Sequence, residues 1–223
     1  MPDGQYSFYL HSDDRTDIAA MATISTISQP LRGEFIRTAA TAGAVVYQVD
    51  ARLPALIPVF FAGQLSAVRL CAVMALVSGT WSSLTGLPDE PENGGAALPV
   101  SPETEYQRRR YTLTLQNGRS GERVESVLTE ASSRLHGDLL RNLIITGLAL
   151  HTTAPELPRL LASMPVPPTS VSELQALVQQ MAGTADVNRA AAAVPDTPAA
   201  SAAPVSGADT REIKKNMRRA FGD

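Results

Sequence analysis

The stretch that decides the fold is Arg108–His151, RRRYTLTLQNGRSGERVESVLTEASSRLHGDLLRNLIITGLALH. It opens with a basic triplet, Arg108-Arg109-Arg110, and continues as a short alternating run. Tyr111, Leu113 and Leu115 fall on one side of that run, with Thr112, Thr114 and Gln116 on the other. Period-two alternation of aromatic, aliphatic and β-branched residues predicts one half-buried strand beginning after the triplet. Asn117-Gly118 ends it, and two helical patterns follow. In the first, Val124, Val127, Leu128, Ala131 and Leu135 share a face. The second, carrying Leu139, Leu140, Leu143, Ile144, Gly147, Leu148 and Leu150, is apolar almost all round, as a buried helix is. One strand followed by two helices leaves its own backbone edge unpaired, so a second strand must come from elsewhere.

The N-terminus supplies a candidate. In YSFYLHSDD, Tyr6, Phe8 and Leu10 alternate with Ser7, Tyr9 and His11, and Ser12-Asp13-Asp14 provides turn and helix-start chemistry. A helical stretch through Ile18, Met21, Ser25 and Ile27 ends near Pro30, and a second covers Gly33 to Tyr47. These halves superpose in sequence. Gly33 to Gly79 aligns without a gap on Gly137 to Gly183 at an offset of 104, matching Arg37/Arg141, Gly43/Gly147, Leu53/Leu157, Pro54/Pro158 and Leu70/Leu174. The strands align at an offset of 105, Tyr6 over Tyr111 and Leu10 over Leu115. A shared frame with matched Gly and Pro reads as an internal duplication. Each copy is then a strand, two helices, a Leu-Pro turn, a short helix and a final helix ending at Gly79 or Gly183.

This organisation divides the chain into five parts: a first copy (1–79), a flexible linker (80–105), a second copy (106–183), a disordered Ala/Pro linker (184–208) and a C-terminal docking helix (209–223). The first linker, with four Pro and three Gly, spans up to roughly 80 Å when extended, enough to fold one copy back onto the other. The second is low-complexity Ala, Pro and Ser. In ADTREIKKNMRRAFGD, Asp209 and Glu212 fit a capping pattern, and Ile213, Met217, Ala220 and Phe221 form one apolar stripe. Lys214, Lys215, Arg218 and Arg219 surround it. A basic amphipathic helix on a disordered tether has the character of a docking peptide.

Composition narrows the function classes. The chain has 223 residues and a formal net charge of −3, unevenly spread. Residues 1–100 carry five Arg against nine acids, and the remainder carries fourteen basic residues against thirteen acids. An acidic total requires any contact with nucleic-acid phosphates to come from local patches. A single cysteine, Cys71, within an apolar run reads as a buried structural thiol in a reducing compartment. No signal peptide is visible at Met1–Gln5, and the longest apolar runs are too short to span a bilayer, so a cytoplasmic location is expected. Three scattered His, no Gly-rich phosphate loop and no metal-ligand spacing leave no constellation for an enzyme, a metal or a cofactor.

Two strands, one per copy, pairing antiparallel over four helices make a ribbon-helix-helix arrangement whose ribbon enters the DNA major groove. The fold class expected is therefore mainly α: a tandem ribbon-helix-helix forming a single-chain pseudodimer. Tyr6, Phe8, Leu10, Tyr111, Leu113 and Leu115 would close the core. Ser7, Tyr9, His11, Thr112, Thr114 and Gln116 would face base edges. Backbone N–H groups at Gly33 and Gly137 would hold flanking phosphates, and Arg108, Arg109 and Arg110, placed just before the second strand, would add phosphate contacts.

The run RRRYTLTLQ…RNLIITGLALHTTAPELPRLL, then SVSELQALVQQ and the terminal EIKKNMRRAF, resembles the ParR/StbB family of plasmid partition adaptors. The resemblance covers residues 106–223 directly and the first copy by way of the repeat. It implies a protein that coats a plasmid centromere of repeated duplex DNA sites and captures the end of an actin-like ATPase filament (ParM) with its C-terminal tail. Ile213, Lys214, Lys215, Met217, Arg218 and Phe221 would make that filament contact. Such proteins also repress their own operon. This chain departs from the family pattern in carrying two copies where members carry one and dimerise. Its ribbon would present one tail and two different reading strands, suiting asymmetric half-sites. The acidic first copy lacks the Arg triplet, which bears on whether Tyr9 and His11 contact bases. Alternatives are a ribbon-helix-helix repressor or relaxosome accessory protein, which has no need of the tethered tail, and a structural or membrane-surface adaptor, for which three large apolar residues give marginal lipid binding.

Overall fold

The computed structural model describes residues 4–80 and 107–192, the side chains of 184–192 excepted. Among the described residues, two strands and eight α-helices follow one another in two similar series. They are β1 (Gln5–His11), α1 (Arg15–Ser25), α2 (Arg32–Val49), α3 (Leu53–Phe60) and α4 (Ala67–Ser78), then β2 (Arg108–Thr114), α5 (Arg119–Glu130), α6 (His136–Thr153), α7 (Leu157–Ser163) and α8 (Val171–Ala192). The described elements up to Ala185 belong to one compact unit. The fold is mainly helical with one two-stranded antiparallel sheet, and its strands come from separate halves of the chain.

Pairing runs from Gln5 opposite Thr114, through Ser7 opposite Thr112, to His11 opposite Arg108. Two further bonds extend it, Leu115 N–H to the Gly4 carbonyl at 2.9 Å and Ser12 N–H to the Gln107 carbonyl at 3.0 Å. Under the sequence offset of 105, Ser7–Thr112 exchanges with itself, and Phe8–Tyr111 exchanges with Tyr6–Leu113. The ribbon therefore has a pseudo-twofold axis through Ser7 and Thr112. Phe8, Leu10, Leu113 and Leu115 are buried, with Tyr6 and Tyr111 half-buried against them. Phe8 stacks on Tyr111 at 5.3 Å between ring centroids. The expected core face of the ribbon is the observed one.

The two copies interlock through α2 and α6, which cross in the middle of the core. A Cβ on Gly43 would fall on the backbone of Leu143, and one on Gly147 on the backbone of Ala39. Ala39 and Leu143 are themselves matched at the offset of 104, so these are one contact made twice about the same axis. Glycine at both positions removes the side chain that would hold the helices apart, which is why the repeat retains Gly43/Gly147. Around this crossing, α7 packs on α2 and α3 on α6, so each copy covers the other's central helix.

Several boundaries differ from the sequence expectation. β2 starts at Arg108, not at Tyr111, because β1 runs on to His11 and offers partners to all three arginines. α5 stops at Glu130, so Leu135 leaves the apolar face assigned to it and sits 55% exposed in the 3-10 turn before α6. α4 ends as expected at Gly79, whose φ of 70° closes the helix in the left-handed region. Its counterpart Gly183 does not end α8, which continues to Ala192. The alanine-rich sequence after it favours helix enough to offset one internal glycine. The linker from 81 to 106 and the C-terminal residues from 193 onward, including the docking helix of 209–223 and its Ile213, Lys214, Lys215, Met217, Arg218 and Phe221, lie outside the described residues.

Candidate nucleic-acid interface

The outer face of the ribbon follows from strand parity. β1 contributes Gln5, Ser7, Tyr9 and His11; β2 contributes Arg108, Arg110, Thr112 and Thr114. Gln5, Arg108, Arg110, Thr112 and Thr114 are exposed, while Ser7, Tyr9 and His11 are half-exposed. Five of the six residues expected on this face, Ser7, Tyr9, His11, Thr112 and Thr114, are there. Gln116 is exposed but lies past the end of β2.

The arginine triplet is the principal revision. Alternation carried back through the triplet puts Arg108 and Arg110 on the outer face beside Thr112, and Arg109 on the opposite side. Arg109 stays exposed at the ribbon's end, its guanidinium 5.2 Å from the centre of the Tyr111 ring. Arg108 lies over the Tyr9 ring at 3.5 Å. Arg110 donates to the Ser7 hydroxyl from Nη2 at 2.9 Å and from Nε at 3.2 Å. Both outer guanidinium groups are therefore held by the neighbouring strand. Gln5 also belongs to this face. The signal for both additions was in the sequence, in the parity of residues 108, 110, 112 and 114 and of 5, 7 and 9.

The flanks are formed by the starts of α2 and α6. Their N-cap residues, Leu31 and Leu135, make no side-chain cap, and the expected Gly33 and Gly137 lie in the first turns. The Arg32 and His136 N–H groups donate to the Gln29 and Ser133 carbonyls of the preceding 3-10 turns, and the positive end of each helix dipole suits an anion. A Cβ on Gly137 would sit 3.5 Å from the Ser7 carbonyl, which places the start of α6 against β1. The flank tyrosines titrate differently from free tyrosine. Burial, then the charge of Glu125, raises Tyr6. Burial also raises Tyr111, against the opposing charges of Arg109 and Arg32.

Beneath the ribbon lies a buried charge. Asp17 on α1 is fully buried; it accepts the His11 backbone N–H at 2.8 Å and pairs with Arg141 of α6 at 2.6 Å. Arg141 also reaches Asp14 at 3.3 Å, and Asp14 caps α1 by accepting from Thr16 and Asp17 N–H. The pair ties the end of β1 to the second copy. In the other half the matching residues are Glu122 and Arg37, and among the described residues no ion pair forms between them. Cys71 is buried, and burial pushes its thiol up against the opposing hydrogen bond from Gln179. Among the described residues no group of three or more His, Cys, Asp or Glu is placed to hold a metal ion, and no helix is long and apolar enough to cross a membrane.

Fold and surface together define a class: a duplicated, mainly helical chain whose halves share one surface ribbon carrying arginines, hydroxyls and amides. A family model described as plasmid stability protein matches residues 4–74 and again 109–178, one match on each copy and together more than half of the chain. The chain belongs to this plasmid stability family, which gives it a role in plasmid maintenance. No curated protein and no solved structure matches it.

Proposed function

We propose that this chain is a partition adaptor of the ParR/StbB type, a single-chain ribbon-helix-helix pseudodimer that binds repeated duplex DNA sites of a plasmid centromere. The observation that supports it best is the ribbon itself: one strand from each half, an apolar underside, and an outer face of arginine, threonine, serine and tyrosine at the surface. A two-stranded ribbon fits the major groove, where arginine and hydroxyl side chains meet base edges. Phosphates flanking the groove would lie at the starts of α2 and α6, around Gly33 and Gly137. The C-terminal segment, through Ile213, Met217 and Phe221 with Lys214, Lys215 and Arg218, would capture the end of an actin-like ATPase filament of the ParM type. Burying those apolar residues stabilises one contact by about 1.5–3 kcal/mol each, against association costs of similar size. One tail binds weakly, and many tails arrayed on repeated sites bind strongly. Binding upstream of its own operon would also repress it. The protein acts in the cytoplasm as an adaptor, with no catalysis and no cofactor.

The test uses full-length protein and the deletion of Thr210–Asp223. Gel shifts on upstream repeats of its own operon should show cooperative binding that weakens steeply with salt. The deletion should keep that binding and lose filament capture and plasmid stability. No shift at low salt would sink the DNA role, and unchanged stability in the deletion would refute the tail's role.

A further inference from the structure

The pseudo-twofold axis through Ser7 and Thr112 relates positions that do not carry the same chemistry. Exchanging the copies brings Tyr9 onto Thr114 and Arg110 onto Gln5. One half of the outer face therefore presents Tyr9, His11, Arg108 and Arg110, and the other presents Gln5 and Thr114. The difference is built into the fold. Arg108 is braced by the Tyr9 ring, and Arg110 by the Ser7 hydroxyl on the axis. Arg110 is exposed, with its Nε and Nη2 held by Ser7. Two arginines and an aromatic ring on one side, against neutral amide and hydroxyl groups on the other, match two different half-sites. The arginine fork pairs with guanine O6 and N7, and a glutamine amide pairs with adenine N6 and N7.

Resting on the DNA-binding reading above, we infer that the protein binds its site in one fixed orientation. Arg110 and Arg108 read guanine in one half-site, while Gln5 and Thr114 read an A·T-bearing half-site. Arg110 is then a specificity-determining residue, not a phosphate contact. Because both strands belong to one chain, the pairing of unlike halves is guaranteed in every molecule.

The experiment is selection of full-length protein on a random duplex library, followed by affinity measurement on three synthetic duplexes. One holds the selected site, and each of the others repeats one of its halves about a twofold axis. The expected motif is non-palindromic with guanine in one half, and both symmetrised duplexes bind at least about tenfold more weakly. Arg110→Lys should bind the selected site more weakly and lose about 5- to 150-fold of guanine discrimination while still binding non-specific duplex, because a lysine retains the charge and loses the planar fork. A palindromic motif, or a symmetrised duplex bound as tightly as the selected one, overturns the fixed orientation while leaving DNA binding intact. Unchanged base preference in Arg110→Lys overturns the role of Arg110. Failure to retain any duplex at low salt overturns the DNA reading itself.

Discussion

Asp17 shows how a single buried charge is held at the edge of the ribbon. It is fully buried, so desolvation raises its pKa from the ordinary value of 3.8, while the His11 N–H and Arg141 act in the opposite direction. A carboxyl whose folded pKa is raised binds its proton more tightly in the folded than in the unfolded state. The stability it contributes is fully present below 3.8 and is lost as pH rises through the higher folded value. The ion pair with Arg141 therefore does not repay the cost of burying the carboxylate, in keeping with the modest net worth of buried pairs. Breaking it is another matter. Asp17→Ala leaves the His11 N–H without its carboxylate acceptor and Arg141, whose side chain is 20% exposed, without its closest partner. The expected loss is about 3–5 kcal/mol, measured by urea unfolding at pH 7. Asp17→Asn keeps an acceptor, so it should lose less and flatten the fall in stability as pH rises above 3.8. An unchanged slope would show that Asp17 does not titrate in this range.

At the scale of elements, the α2–α6 crossing sets the whole arrangement. The starts of these helices define the flanks of the ribbon, so the separation of their axes determines where the flanks stand. Gly147→Ala puts a methyl group into the backbone of Ala39, which cannot turn away as a side chain can. We expect a loss of about 3 kcal/mol from overpacking, read as a lowered urea midpoint. Gly43→Ala should behave alike, since it makes the symmetry-related clash with Leu143. Gly33→Ala is the control: its nearest neighbour would be Arg37 Nη1 at 3.7 Å, so no loss is expected. Equal effects at all three positions would place the cost in glycine's backbone and not in the crossing. α4 and α8 show how far two copies diverge on one frame. Val68 and Leu76, 50% and 56% exposed on α4, align at the offset of 104 with Ser172 and Gln180 of α8. α4 thus has apolar residues on both faces, and α8 has the polar outer face of an ordinary surface helix.

For the molecule as a whole, the ribbon closes within one chain, and so does the crossing of α2 with α6. Tethering two halves raises their effective concentration to about millimolar, which favours pairing within the chain over pairing between chains. Light scattering of dilute protein should therefore give the mass of one chain, independent of concentration. An obligate dimer would show that the strands pair between chains. Substituting the ribbon in one copy alone should then change one half-site and not both, which a symmetric dimer cannot do.

The duplication, the two alternating strands and the apolar second helices were legible in the residues, because periodicity and matched Gly and Pro are local patterns. The underside of the ribbon could be read in the same way, from Tyr6, Phe8 and Leu10 against Tyr111, Leu113 and Leu115. Register was not legible, since it depends on which residues of β1 stand opposite which residues of β2. That pairing drew the arginine triplet into β2, after which the parity already present in the sequence sets Arg108 and Arg110 on the outer face, and it left Gln116 beyond the strand. It also placed the axis on Ser7 and Thr112, and with it the inequality of the two halves. Sequence alone determined that the chain holds two copies of one strand-helix-helix unit. Only the tertiary structure decided how those copies face each other, because backbone pairing and the Gly43/Gly147 contact join residues about a hundred positions apart.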